Sequence, residues 1–172
     1  MSANNNSEKK SHFLLFILAG IFIGIILKLF VFDVLRVEGT SMEPAIQDGN
    51  TVIVFKLAYG LVRPFSEDLI ISWAEPKPGD IVLYFYNNRA VIKRCVAVAG
   101  EPLDFSFTSG YSLLVGGKEI PLTENQYQRI KHSHQVPNGM ILAIGDNYSE
   151  SIDSRNYGFV SVDNILGKVL KK

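Results

Sequence analysis

The sequence predicts a mostly β protein: a single N-terminal transmembrane helix followed by an all-β, partly closed antiparallel sheet domain. Three observations carry this. Residues 13–32 are apolar except for Lys28, and twenty helical residues span roughly 30 Å, the thickness of a bilayer hydrocarbon core. After that run the texture changes to short apolar stretches broken by Gly, Pro, Asn and Asp, a strand-and-turn pattern. No fixed-period repeat and no long amphipathic helix follows. With 172 residues, 47% hydrophobic and 20% charged, the chain can bury one core, so the economical organisation is one domain plus an anchor.

In order, residues 1–12 are polar, with Lys9, Lys10 and His12 just before the apolar run, and read as a disordered cytoplasmic leader. Residues 13–32 are the span. A buried soluble helix fits poorly, because the run is apolar on all faces and Lys28 is near enough to one end to snorkel. A cleaved secretory signal would want a small-x-small site after it, whereas Lys28-Leu29-Phe30-Val31-Phe32-Asp33 offers bulky residues, which favours an uncleaved anchor. Lys9 and Lys10 place the N-terminal end in the cytoplasm by the positive-inside bias, against Arg36 on the other flank, and leave residues 33–172 as an extracytoplasmic domain.

In that domain Asp48-Gly49 is a turn before a strand at 51–55. Residues 56–79, with Gly60, Pro64, Pro76, Pro78 and Gly79, read as a long loop holding at most a short strand or helical turn at 68–73; Leu69, Ile70, Ile71 and Trp73 give it an apolar side that could meet lipid, although surface cover for the core is the favoured reading. Strands at 81–86 and 90–98 around Asn87-Asn88-Arg89 form a hairpin. Two or three weak strands are expected around Gly116-Gly117, then strands at 140–144, 157–160 and 165–170.

Composition narrows the function. Seventeen basic residues balance seventeen acidic ones, so no global field points to nucleic acid. One cysteine excludes an internal disulfide, and Cys95 in an apolar run reads as a buried small hydrophobe. No Cys/His cluster has zinc spacing, and His132-Ser133-His134 reads as a solvated loop, so no metal and no cofactor is expected.

The chemistry is expected at Ser41, a serine held between Gly39 and Pro44 just outside the membrane-length run, and at Lys93. Strand alternation puts Val91, Lys93, Cys95 and Ala97 on one face, placing a lysine among small apolar side chains. Such a lysine could snorkel from an edge strand. Alternatively, desolvation disfavours the ammonium, lowers its pKa from about 10.4, and leaves a neutral amine able to act as general base for a serine hydroxyl. A Ser-His arrangement would need His132 or His134, whose polar surroundings give no sign of it.

These residues carry a resemblance to the type I signal peptidases, membrane-bound serine proteases that remove signal peptides from exported proteins. Ser41-Met42-Glu43-Pro44 resembles the nucleophile box, and Pro78-Gly79-Asp80-Ile81-Val82 a structural strand. Lys93-Arg94 with Ala99-Gly100-Glu101 resembles the general-base box, and Gly145-Asp146-Asn147 with Ser151, Asp153-Ser154-Arg155 and Gly158 the last box. Phe55-Lys56-Leu57-Ala58-Tyr59-Gly60 resembles the segment after the first box in Gram-negative members. The resemblance implies Ser41 as nucleophile and Lys93 as general base, with Ser151 orienting the amine and Asp153 and Arg155 as a supporting ion pair. Gly39 stands where some members place an oxyanion-hole serine, and Val37, Met42, Ile46, Val91 and Ile92 would form apolar pockets for small side chains. Departures stand at Ala45, Ala97, Ala99, Glu101, Tyr148 and Ser149.

The expected function is a membrane endopeptidase of the bacterial cytoplasmic membrane. It would cleave signal peptides of exported preproteins after Ala-x-Ala, with membrane lipid as its other partner. Alternatives are a peptidase dedicated to one export, pilus or conjugation pathway, and a non-catalytic anchored β module.

Overall fold

The computed structural model describes residues 4–63, 69–108 and 110–170. Helix α1 (Asn4–Ile26) continues into a π turn (Leu27–Val31). The stretch His12–Val31 is long and apolar enough to cross a membrane, and none of it is buried by the rest of the chain. The helix begins at Asn4, not at 13, so most of the expected disordered leader is helical. Once an apolar stretch has nucleated a helix, adding a Glu or Lys residue costs little. Residues 1–3 of that leader lie outside the described residues.

Where the apolar run ends the chain turns directly into β1 (Phe32–Arg36), a strand not anticipated. Its register on β2 (Thr51–Phe55) pairs Phe32 with Phe55 and Val34 with Ile53, aromatic and β-branched partners that suit a pleated surface.

The main sheet has seven strands in the order β1, β2, β12 (Ile165–Leu170), β5 (Ile81–Tyr86), β6 (Arg89–Val98), β10 (Met140–Ile144) and β11 (Val160–Ser161), with every paired neighbour antiparallel. Hairpin β5–β6 turns at Asn87 and Asn88, both at positive φ (50° and 59°), as a two-residue loop matching the strand twist requires. One face packs Val52, Val54, Leu83 and Val169 on Val37 and Met42; the other packs Val82, Tyr84, Cys95 and Ile141. Along β6 the alternation expected from sequence appears as burial of Lys93, Cys95 and Ala97.

Three expectations are corrected. The segment 56–79 is not one loop: β3 (Gly60–Val62) and β4 (Leu69–Ser72) form a small antiparallel hairpin, braced by the Trp73 indole N–H donating to Leu57 O at 3.1 Å. Residues 64–68 of the expected loop lie outside the described residues. The weak strands appear as β7 (Asp104–Ser106), β8 (Ser112–Val115) and β9 (Lys118–Pro121), but an unexpected helix, α2 (Glu124–Ile130), follows. A capping box starts it: Gln126 N–H donates to Thr123 Oγ1 while the Gln126 side chain accepts from Thr123 N–H. Finally, residues 157–160 do not form a strand. Asp153 caps a short helix, α3 (Ser154–Tyr157), and only Val160 and Ser161 pair in the sheet.

Candidate active site

Ser41 sits in a tight turn after β1, half-buried, with Glu43 N–H donating to Thr40 O at 3.0 Å and Ile46 N–H to Met42 O at 2.8 Å. Lys93 projects from the middle of β6 and is 5% exposed. Its Nζ donates to Ser41 Oγ at 2.7 Å, so residues 52 positions apart in sequence form one pair. Burial is the main influence on the lysine and pushes its pKa below the ordinary range; the Asp153 carboxylate pulls it back up and the Arg155 guanidinium pushes it further down. Once neutral, Nζ carries a lone pair, and the same contact can run the other way, from the hydroxyl to the amine. The pair can then generate an alkoxide-like nucleophile without a histidine.

The last motif of the sequence wraps this pair. Asp153 and Arg155, 0% and 1% exposed, form a two-pronged ion pair with Nε and Nη2 each 2.9 Å from a carboxylate oxygen. The guanidinium also donates to Pro121 O and Tyr148 O, at 3.2 and 3.0 Å, while Asp153 accepts from Gly145 N–H at 3.0 Å. One buried pair therefore fixes three stretches of chain around the lysine. Ser151 is buried as well, but among the described residues its Oγ makes no hydrogen bond, to Lys93 or to any other group. The expected orienting bond is not formed; the hydroxyl lies instead against the α-carbon of Gly145.

Two contributors were missed among the candidates. Asn147 clamps the serine turn, its backbone N–H donating to Ser41 O at 3.0 Å and its side-chain amide to Thr40 O at 3.3 Å. Gly145 makes that approach possible, since a Cβ there would strike both Ser151 Oγ and Ser41 O. The Gly145-Asp146-Asn147 motif was visible in the sequence, but nothing in it says which atoms it would hold. Arg94 anchors the same loop to β6 through a bidentate pair with Asp146, at 2.7 and 2.6 Å.

An open cleft of about 730 Å³ leads away from Ser41 and Lys93. Val37, Met42, Val91 and Ile92 line it, whereas Ile46 does not. The turn closed by the Ile46–Met42 hydrogen bond rotates Ile46 into the core, where it is 3% exposed. Gly39 is exposed, at φ +97°, and its N–H donates to Asp48 Oδ1 at 2.8 Å. An L-residue would be strained in that backbone, so the missing serine there is a matter of conformation as well as side chain.

The cleft is bounded by two unsatisfied strand edges. Among the described residues β1 pairs on one side only, with β2. In β6, residues 89–93 pair with β5, but β10 reaches only as far as Arg94. An extended peptide lying between them could hydrogen-bond to both.

Elsewhere, Cys95 is fully buried and burial pushes its thiol up to about 12, which leaves it unreactive. His132 and His134 are exposed in a loop, and among the described residues no group of three His, Cys, Asp or Glu is placed to hold a metal.

A family model described as signal peptidase, peptidase S26, matches residues 10–171. The chain belongs to this signal peptidase family. It is accordingly a serine endopeptidase with a helix that fits a membrane anchor. Signal peptidase I of Bacillus caldolyticus is 36% identical over 150 residues, covering 83% of this chain and 80% of the relative. Signal peptidase I of Buchnera aphidicola subsp. Baizongia pistaciae is 22% identical over 220 residues, covering 84% and 70%. A probable signal peptidase I-1 of Synechocystis sp. is 27% identical over 159 residues, covering 90% and 77%.

Proposed function

We propose that this signal peptidase removes N-terminal signal peptides from exported preproteins, with Ser41 as nucleophile and Lys93 as general base. The observation that carries the assignment is the 2.7 Å contact between a buried lysine and a half-buried serine at the end of a peptide-sized cleft.

A preprotein segment lies extended between β1 and residues 89–93, adding a strand to both edges, with small side chains directed at Val37, Met42, Val91 and Ile92. Neutral Lys93 takes the Ser41 proton as Oγ attacks the scissile carbonyl carbon. The backbone N–H of Ser41 faces the developing oxyanion. Collapse of the tetrahedral intermediate breaks the C–N bond, and the Lys93 ammonium returns its proton to the departing amine. Water, deprotonated by the regenerated amine, then releases the acyl group from Ser41. Asp153, Arg155, Asn147 and Gly145 hold the serine turn against the lysine, and Ser151 fills the space beside it.

Residues 13–32 serve as an uncleaved anchor in the bacterial cytoplasmic membrane, with the N-terminus cytoplasmic and the β domain outside, where exported chains emerge. The test is incubation of the detergent-solubilised full chain with a preprotein carrying an Ala-x-Ala site, alongside Ser41→Ala and Lys93→Ala, with the cleavage position read by mass. Cleavage after the small residue by the wild type alone is the expected result. Equal cleavage by all three would overturn the residue roles.

A further inference from the structure

A second cavity, about 300 Å³, lies where the membrane-length segment meets the sheet. Its walls are apolar, with Leu29, Leu35, Val62, Leu83, Phe85 and Leu166, of which Leu83 and Leu166 belong to the buried core. Its rim is basic: Lys28, Lys56 and Arg63 come from the end of the span, the turn after β2, and the end of β3. Among the described residues the one carboxylate on the rim, Asp33, is within 3.7 Å of Lys56, whose Nζ also donates to Leu29 O at 3.2 Å. That leaves Lys28 and Arg63 as two positive charges over an apolar hollow. Among the described residues neither lies within salt-bridge distance of an acid.

Position makes this arrangement specific. Lys28 lies three residues before the end of the segment His12–Val31, so in a bilayer it is at the depth of the lipid headgroups. The Lys56 to Leu29 bond fixes the turn after β2 to the same level. A ligand matching the cavity has a phosphate facing Lys28 and Arg63 and hydrocarbon against the leucines. A chain anchored in a membrane meets such a molecule continuously.

We propose that this cavity binds one anionic phospholipid, the phosphate held by Lys28 and Arg63, with Lys56 holding Asp33 out of its way. The cavity shares Leu35, Leu83 and Ala90 with the active-site cleft. A bound lipid therefore packs against residues on which the cleft is built.

The experiment uses the full chain in dodecyl maltoside with phosphatidylglycerol added, and counts retained lipid by native mass spectrometry. One phosphatidylglycerol per wild-type chain is expected, with phosphatidylcholine retained more weakly and excess inorganic phosphate failing to compete. Each interfacial charge removed should weaken retention about fivefold, so Lys28→Gln with Arg63→Gln weakens it about 25-fold. The pair Lys28→Arg with Arg63→Lys should restore retention, and an unchanged melting temperature in the glutamine variant shows that the fold is intact. Equal retention of phosphatidylglycerol by wild type and glutamine variant would overturn the proposal. So would competition by inorganic phosphate, which would make the site one for the free anion. Unchanged lipid retention with a raised KM for preprotein would assign the cavity to the substrate's upstream segment instead.

Discussion

Removing the Asp153 carboxylate separates structural from electrostatic roles at this site. In Asp153→Ala the Arg155 guanidinium keeps its bonds to Pro121 O and Tyr148 O but loses its counter-charge while 1% exposed. Breaking a buried pair from one side costs about 3–5 kcal/mol, and Gly145 N–H loses its acceptor as well. For a domain of this size about 3 °C is lost per kcal/mol, which predicts a fall in melting temperature of roughly 10–15 °C. Circular dichroism of the full chain in detergent measures it. In Asp153→Ala with Arg155→Met no charge is left stranded, and the loss should be clearly smaller than the sum of the two single losses. The milder Asp153→Asn supplies the electrostatic arm. Asp153 raises the Lys93 pKa, so its removal should move the acid limb of kcat/KM to lower pH; removing Arg155, which lowers that pKa, should move it upward. A melting temperature within about 3 °C of wild type for Asp153→Ala, or an upward shift of the acid limb in Asp153→Asn, would refute the reasoning.

Other perturbations follow from the same geometry. Lys93→Met should raise the melting temperature at neutral pH while abolishing cleavage. Because the folded pKa is depressed, the unfolded chain binds more protons between that pKa and about 10.4, so wild-type stability rises with pH across this window and the variant loses that rise. Gly145→Ala places a methyl group against Ser151 Oγ and Ser41 O; displacement of the serine turn by about 1 Å should cost about 100-fold in kcat, measured on preprotein at saturation. Gly39→Ser should lower stability by about 1–2 kcal/mol, because the φ of +97° is strained for an L-residue, and should lower cleavage despite supplying a hydroxyl. A gain in rate would show that the loop relaxes to accept it.

Much of the fold is legible locally. The Asn87-Asn88 turn fixes the β5–β6 register, and that register buries Lys93 with Cys95 and Ala97. Alternation could therefore single out the lysine before any contact was known. Helix α2 was legible in principle, since Thr123 and Gln126 have capping-box spacing and Gln126 and Ile130 share its buried face, but seven residues are too few for a periodic signal. What sequence could not supply is long-range aim. The Asn147 clamp on Ser41 joins residues about a hundred positions apart, and Ile46 is turned from the cleft by one backbone hydrogen bond. The resemblance puts Ser151 on the lysine, whereas among the described residues its hydroxyl finds no partner and rests on Gly145.

The pH dependence of kcat/KM for preprotein cleavage tests the central pairing most directly, because it reports the free enzyme's essential base. The pairing predicts a single ascending limb at a pKa below the ordinary lysine value of about 10.4, unchanged in His132→Ala and His134→Ala, and no measurable cleavage by Lys93→Met. An ascending limb that survives in Lys93→Met, or one that vanishes with either histidine, would contradict it.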